Sequence, residues 1–309
     1  MKRYFIGLQS LTQSQLDAWV IQAQIPARSG GKLPDYIPGL AEAQPDWLAV
    51  HIRNVNGDIY ASGDMTLSFP LMSAVKPFVL LYLLEQLGAE RVFDQVGMLP
   101  SDRPFNSLAQ LRADEGFPRN PMLNSGAIAL MSLLPGTDGL SRCENLRQWL
   151  NEKADCHLVL DELILESVRS LRNETNIAIA REIADAGYLQ ASVAVTIDTY
   201  NQLCCLAGTV GDLASLGMLL VPFGDRVLPE NCRIVKALMT TCGLYESSGS
   251  FAVQVGLPTK SGVSGALLSV VPGEGAIACY SPPIDAAGNS VAGLFLLEQL
   301  ARNLHLSVF

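Results

Sequence analysis

Seven apolar side chains follow one another at residues 78–84 without a polar break. A helix this apolar has no face for water, so the spacing predicts a segment enclosed on all sides. Gly88 marks its end. Pro77 lacks an N–H and clashes with the carbonyl four residues back. A helix tolerates that only near its start, so this one is predicted to begin close to Ser73. Upstream, residues 12–24 carry Leu16, Trp19, Val20 and Ala23 on one helical stripe. Residues 47–53 and 58–62 are β-rich and joined by Asn56-Gly57, a strong hairpin signal. Downstream of Ser73 the helical period persists at 126–133, 145–150, 159–170, 174–187, 196–205 and 211–219. The pattern changes after Pro222-Phe223-Gly224. A short helix at 233–240 precedes β-like runs at 251–256, 265–271 and 276–280, with a hairpin at Pro272-Gly273-Glu274-Gly275. A last helix covers 290–304. The expected fold is α/β (α+β): an antiparallel sheet flanked by helices, built from residues 1–72 and 222–309, with residues 73–221 inserted as an all-helical lobe.

Composition narrows the function classes. The chain has 309 residues, 49% hydrophobic and 17% charged, enough for a large core. Net charge is -9 and no block of Lys and Arg occurs, which argues against nucleic acid as a partner. No apolar run approaches the ~20 residues of a membrane span. The apolar stretch after Lys2-Arg3 breaks at Gln9-Ser10, too short for a signal-peptide core. Seven scattered cysteines then read as reduced, buried thiols in a cytoplasmic protein. His51, His157 and His305 are far apart, so neither a zinc site nor a His-based triad is expected.

The candidate chemistry is Ser73-Ala74-Val75-Lys76. Three residues apart on a helix, the hydroxyl and the amine share a face. The serine falls at the helix N-terminus, where free N–H groups and the dipole favour negative charge. That arrangement suits a serine nucleophile with a lysine base, provided burial and nearby positive charge lower the amine's pKa. Lys260-Ser261-Gly262, opening a later strand, adds a cation, a hydroxyl and a glycine that admits close approach. A serine–lysine pair opening a helix, with Lys-Ser-Gly on a later strand, recurs in serine β-lactamases and penicillin-binding proteins. There the strand lies beside the nucleophile helix, and Lys260 would help hold Lys76 neutral. Tyr36 lies between Pro34 and Pro38, on a stiff loop that either packs it or presents it. Asn124 precedes a small-residue helix, as a cap or as an amide facing a cleft.

Over nearly its full length the chain resembles serine-dependent glutaminases of the β-lactamase-like fold. The matching stretches include Gly31-Lys32 with Asp35-Tyr36-Ile37-Pro38, Ser73 to Lys76, and Pro104-Phe105-Asn106-Ser107. Further on come Asn120-Pro121-Met122-Leu123-Asn124-Ser125-Gly126-Ala127, Cys242-Gly243-Leu244-Tyr245, and Lys260-Ser261-Gly262-Val263. The resemblance implies hydrolysis of L-glutamine to L-glutamate and ammonia through an acyl-enzyme, without metal or organic cofactor. It makes Ser73 the nucleophile, Lys76 the proton acceptor and Tyr245 a phenol sharing proton transfer. The backbone N–H groups of Ser73 and Val263 would form the oxyanion hole. Tyr36, Asn124, Asn176 and Tyr200 would line the substrate pocket, with Lys260, Ser261 and Gly262 in support. Seven residues before the asparagine equivalent to Asn176 the family carries a glutamate for the substrate's amino group. Here Arg169 stands there, and a small shift would bring in Glu166. A homodimer or homotetramer is implied. The competing expectations are a β-lactamase or DD-peptidase relative, and a non-catalytic binding protein on the same fold.

Overall fold

The computed structural model describes residues 7–171, 173–222 and 226–309. The basic N-terminal start and the Phe223-Gly224 break lie outside the described residues. Chain order gives strands β1 (Ala49–Asn54), β2 (Ile59–Gly63), β3 (Phe69–Pro70), β4 (Val159–Leu160), β5 (Leu206–Gly208), β6 (Thr259–Ser261), β7 (Ala266–Val271) and β8 (Gly275–Tyr280). Five of them form one antiparallel sheet in the order β2-β1-β8-β7-β6. The hairpin at Asn56-Gly57 is present, and Gly57 takes a φ of +92° there, a conformation that favours glycine. Strands from both ends of the chain thus meet in one sheet, β1 pairing directly with β8.

This sheet is covered on both faces. Side chains on one face, Val50, Ile52, Leu267, Ile277 and Cys279, share a core with Leu16, Val20 and Ala23 of helix Gln13–Gly30 and with Leu296 and Leu300 of helix Val291–Leu304. The alternate residues Leu268, Val270, Ala276, Ala278 and Tyr280 join the larger core, which includes helix Lys76–Leu87. Helix Val210–Met218, from the segment expected to be a separate helical lobe, packs against β1, β7 and β8. Gly217 makes that approach possible. A Cβ on it would stand 2.7 Å from the side chains of Ala276 and Leu268.

Four local expectations change. Residues expected as a strand at 251–256 form helix Ser248–Gln254 and its exit. Phe251 and Val255, one turn apart, are buried together while Val253 is 89% exposed, a helical period that the short Val-Gln-Val run conceals. Of the helix expected at 159–170, the first two residues are β4, and Asp161 caps the helix Glu162–Ser170 behind them. Strands β3, β5 and β4 form a second small sheet, too short to leave a period in the sequence. Helix Gln13–Gly30 also runs past Pro26, beyond the expected end. No helix among the described residues is long and apolar enough to cross a membrane. All seven cysteines are buried and none is in a disulfide.

Candidate active site

Ser73 sits in a single 3₁₀ turn, Met72–Val75, that runs straight into helix Lys76–Leu87. In a 3₁₀ turn residues i and i+3 eclipse, so Ser73 and Lys76 project the same way. Pro77 falls in the first turn of the α-helix, and Gly88 ends it at a φ of +79°. The entry is strained, because Met72 holds a φ of +48°. Gly262, after β6, packs on this turn. A Cβ there would lie 2.3 Å from the Leu71 carbonyl oxygen and 3.3 Å from the Ala74 nitrogen. The glycine that the sequence offered to substrate is therefore taken up by the nucleophile's own turn.

Lys76 is 1% exposed. Its Nζ donates to the Met122 carbonyl at 3.0 Å and to Asn124 Oδ1 at 2.9 Å. Burial lowers its pKa to about 8. A neutral amine has two N–H groups and one lone pair. With both donors occupied, the lone pair is left for a proton from the hydroxyl one turn away. Asn124 is thus not the cap of helix Asn124–Met131; Leu123 occupies that position. Its Nδ2 donates to Asn176 Oδ1 at 3.0 Å, which fixes the amide with its oxygen toward Lys76.

Tyr245 arrives from a 3₁₀ turn, Tyr245–Ser247, with a φ of +56°. Ser248 Oγ locks that turn, donating to the Tyr245 carbonyl at 2.8 Å and accepting the Leu244 N–H at 3.0 Å. The phenol is buried and its pKa is pushed up to about 12, burial outweighing the lowering effect of hydrogen bonding to Ser73 and Ser261. It therefore stays protonated at neutral pH. Phe105 packs against its ring with centroids 4.9 Å apart. Lys260 is fully buried, donates to the Gly243 and Ser261 carbonyls at 3.0 and 2.7 Å, and places Nζ 4.4 Å from the centre of the Tyr245 ring. Burial lowers Lys76, and Lys260 is driven well below the ordinary lysine value by burial and then by Lys76. Like charges disfavour each other, so the two amines resist being protonated together. Ser261 turns away from the cavity and donates to Asn289 Oδ1 at 2.7 Å.

These elements close around a cavity of about 440 Å³. Ser73, Asn124, Asn176, Tyr200 and Val263 line it, and the half-exposed Tyr36 stands at the same wall. Among the described residues, the backbone N–H groups of Ser73 and Val263 donate to no protein acceptor. Glu166 is the expected residue that the structure does not bring in. Leu165 and Val168 take the buried side of helix Glu162–Ser170, leaving Glu166 exposed and outside the cavity. Arg169 is also directed elsewhere, paired with Asp198 at 2.6 Å. Sequence reasoning missed Asn201, Cys204 and the cavity position of Glu174. The first two share a helical face with Tyr200 and Ile197, which a helical projection of residues 193–204 would have displayed.

A family model described as Glutaminase matches residues 31–309. The chain belongs to the glutaminase family. A glutaminase of Synechocystis sp. is 46% identical over 295 residues, which is 95% of this chain and 90% of that protein. A solved probable glutaminase, 36% identical, superposes with a TM-score of 0.89, covering 97% of this chain and 99% of the other. A third relative is Bacillus subtilis glutaminase, solved as its covalent complex with 5-oxo-L-norleucine formed by reaction with 6-diazo-5-oxo-L-norleucine. It is 29% identical, with a TM-score of 0.86 over 96% of this chain and 99% of that one. The β-lactamase-like fold of these glutaminases is the fold of this chain.

Proposed function

We infer that this glutaminase hydrolyses the side-chain amide of L-glutamine at Ser73. The observation that carries the assignment is the buried Lys76 amine, with two acceptors for its two N–H groups and a pKa near 8, one turn behind a serine on the cavity wall. Ser73 Oγ attacks the amide carbon as its proton passes to the Lys76 lone pair. The negative charge that develops on the amide oxygen meets the N–H groups of Ser73 and Val263. Each such donor is typically worth ~10²–10³ in rate. Ammonia departs as the C–N bond breaks, taking a proton relayed from Lys76 through the Tyr245 phenol. Water then adds to the ester, Lys76 accepts its proton, and glutamate leaves as Ser73 is restored. Tyr36, Asn124, Asn176 and Tyr200 hold the substrate. Lys260 and Gly262 support the machinery by seating the Tyr245 ring and the Ser73 turn.

The reading includes a cytoplasmic protein that assembles as a homodimer or homotetramer. The seven thiols outside any disulfide support the compartment. Family resemblance supports the assembly. Light scattering then gives two or four times the 33.2 kDa of one chain. The function itself is tested by ammonia release from L-glutamine and L-asparagine, alongside mass mapping after treatment with 6-diazo-5-oxo-L-norleucine. Turnover of L-glutamine and an adduct on Ser73, both absent in Ser73→Ala, are expected. An adduct on another residue, or full turnover by Ser73→Ala, refutes the assignment.

A further inference from the structure

The end of L-glutamine remote from the reacting amide carries an ammonium and a carboxylate. An ammonium taken into a pocket needs hydrogen-bond acceptors, with a negative charge among them. Glu174 is the only charged side chain among the described residues that line the cavity. It opens helix Glu174–Asp185, two positions before Asn176. Asn201, from helix Val193–Cys204, lines the same cavity. It is 8% exposed, and its buried Oδ1 has no hydrogen-bond partner among the described residues. A buried amide oxygen without a donor is unfavourable until a ligand brings one, and an ammonium has three to give. The two other candidates for this task are out of reach. Glu166 does not line the cavity, whereas Glu174, also exposed, does; Arg169, of the wrong sign, is held by Asp198.

We propose that Glu174 and Asn201 bind the α-ammonium of the substrate, Glu174 by charge and Asn201 through its amide oxygen. They thereby set this enzyme's preference for free amino acids over amides that lack the α-amino group. The proposal rests on the glutaminase reading, and it makes the pair specificity determinants of that reaction.

The test uses the full chain, L-glutamine as substrate, and 4-carbamoylbutanoate (glutamine without its amino group) as competing ligand. Glu174→Gln is expected to raise KM for L-glutamine by roughly 10- to 100-fold, the usual range for deleting a charged partner. Its kcat changes far less, and the inhibition constant of 4-carbamoylbutanoate stays at the wild-type value, which also shows that the pocket is intact. Asn201→Ala moves the same way by several-fold, and Glu166→Gln moves nothing. Equal weakening of both ligands by Glu174→Gln makes its role structural and overturns the proposal. So does an unchanged KM. A wild-type protein that releases no ammonia from L-glutamine instead overturns the functional reading, a result distinct from either.

Discussion

Lys76 shows how one side chain's surroundings decide its chemistry. Burial lowers its pKa to about 8, while the Met122 carbonyl and Asn124 Oδ1 orient the neutral amine. Tyr245 is shifted the opposite way, to about 12, so it stays protonated while Lys76 titrates. Two groups with separated pKa values can divide the roles of base and proton carrier. Tyr245→Phe keeps the ring against Phe105 and Lys260 but removes the transferable proton. Steady-state kinetics are expected to show kcat down by ~10²–10⁴ with KM within a few-fold, the scale of general acid–base catalysis. A kcat within a factor of two would remove Tyr245 from the proton path. Ser73, Lys76 and Lys260 were legible from spacing, because a helix or strand start fixes where three residues project. Tyr245, Asn176 and Tyr200 were legible only through family resemblance, since long-range closure leaves no local pattern. Glu166 failed because a helix face is settled by packing: Leu165 and Val168 claim the interior, and Glu166 is rotated out.

At the scale of elements, the site depends on how β6 meets the Ser73 turn. The approach is close enough to exclude any side chain at residue 262. Gly262→Ala pushes its methyl into the Leu71 carbonyl, so either the strand or the turn must move. Thermal or denaturant unfolding is expected to show a loss of ~1–3 kcal/mol, the usual range for overpacking. Turnover should fall further than stability alone explains, because the displaced segment carries both Ser73 and Val263. A stable variant with normal kcat would show that the approach is looser than the geometry states. The start of the Lys76–Leu87 helix was readable because Pro77 and the apolar run admit few alternatives. The Ser248–Gln254 helix was not, because seven residues carry barely two turns of periodicity and their β-branched, alternating run mimics a strand. Strand β4 was hidden for a similar reason, being only two residues long.

The whole molecule keeps stability and catalysis in separate layers. The sheet's far face packs on the helices Gln13–Gly30 and Val291–Leu304, away from the cavity, while its near face backs the helices that line it. Ile277 belongs to the far core and is 1% exposed. Ile277→Ala is expected to reduce unfolding free energy by ~2–5 kcal/mol, the usual range for emptying a buried site, while the folded fraction keeps its kcat and KM. A changed KM at full folding would show that the layers are coupled. The main sheet was largely visible in the sequence, since β-rich runs at both ends of the chain required a sheet that closes across the insertion. The seating of helix Val210–Met218 on that sheet was not, because an apolar helix period does not say which neighbour covers it. The proposed mechanism rests on a Lys76 amine that loses its proton before Ser73 reacts. The most direct test is the pH dependence of kcat/KM for L-glutamine. A base whose pKa lies near 8 is protonated and idle below that pH and free above it, so the profile should rise through an apparent pKa close to 8, until loss of the substrate's own α-ammonium proton lowers it at higher pH. A profile that is flat or falling between about pH 6 and 9, where an unperturbed lysine stays charged, would contradict Lys76 as the base.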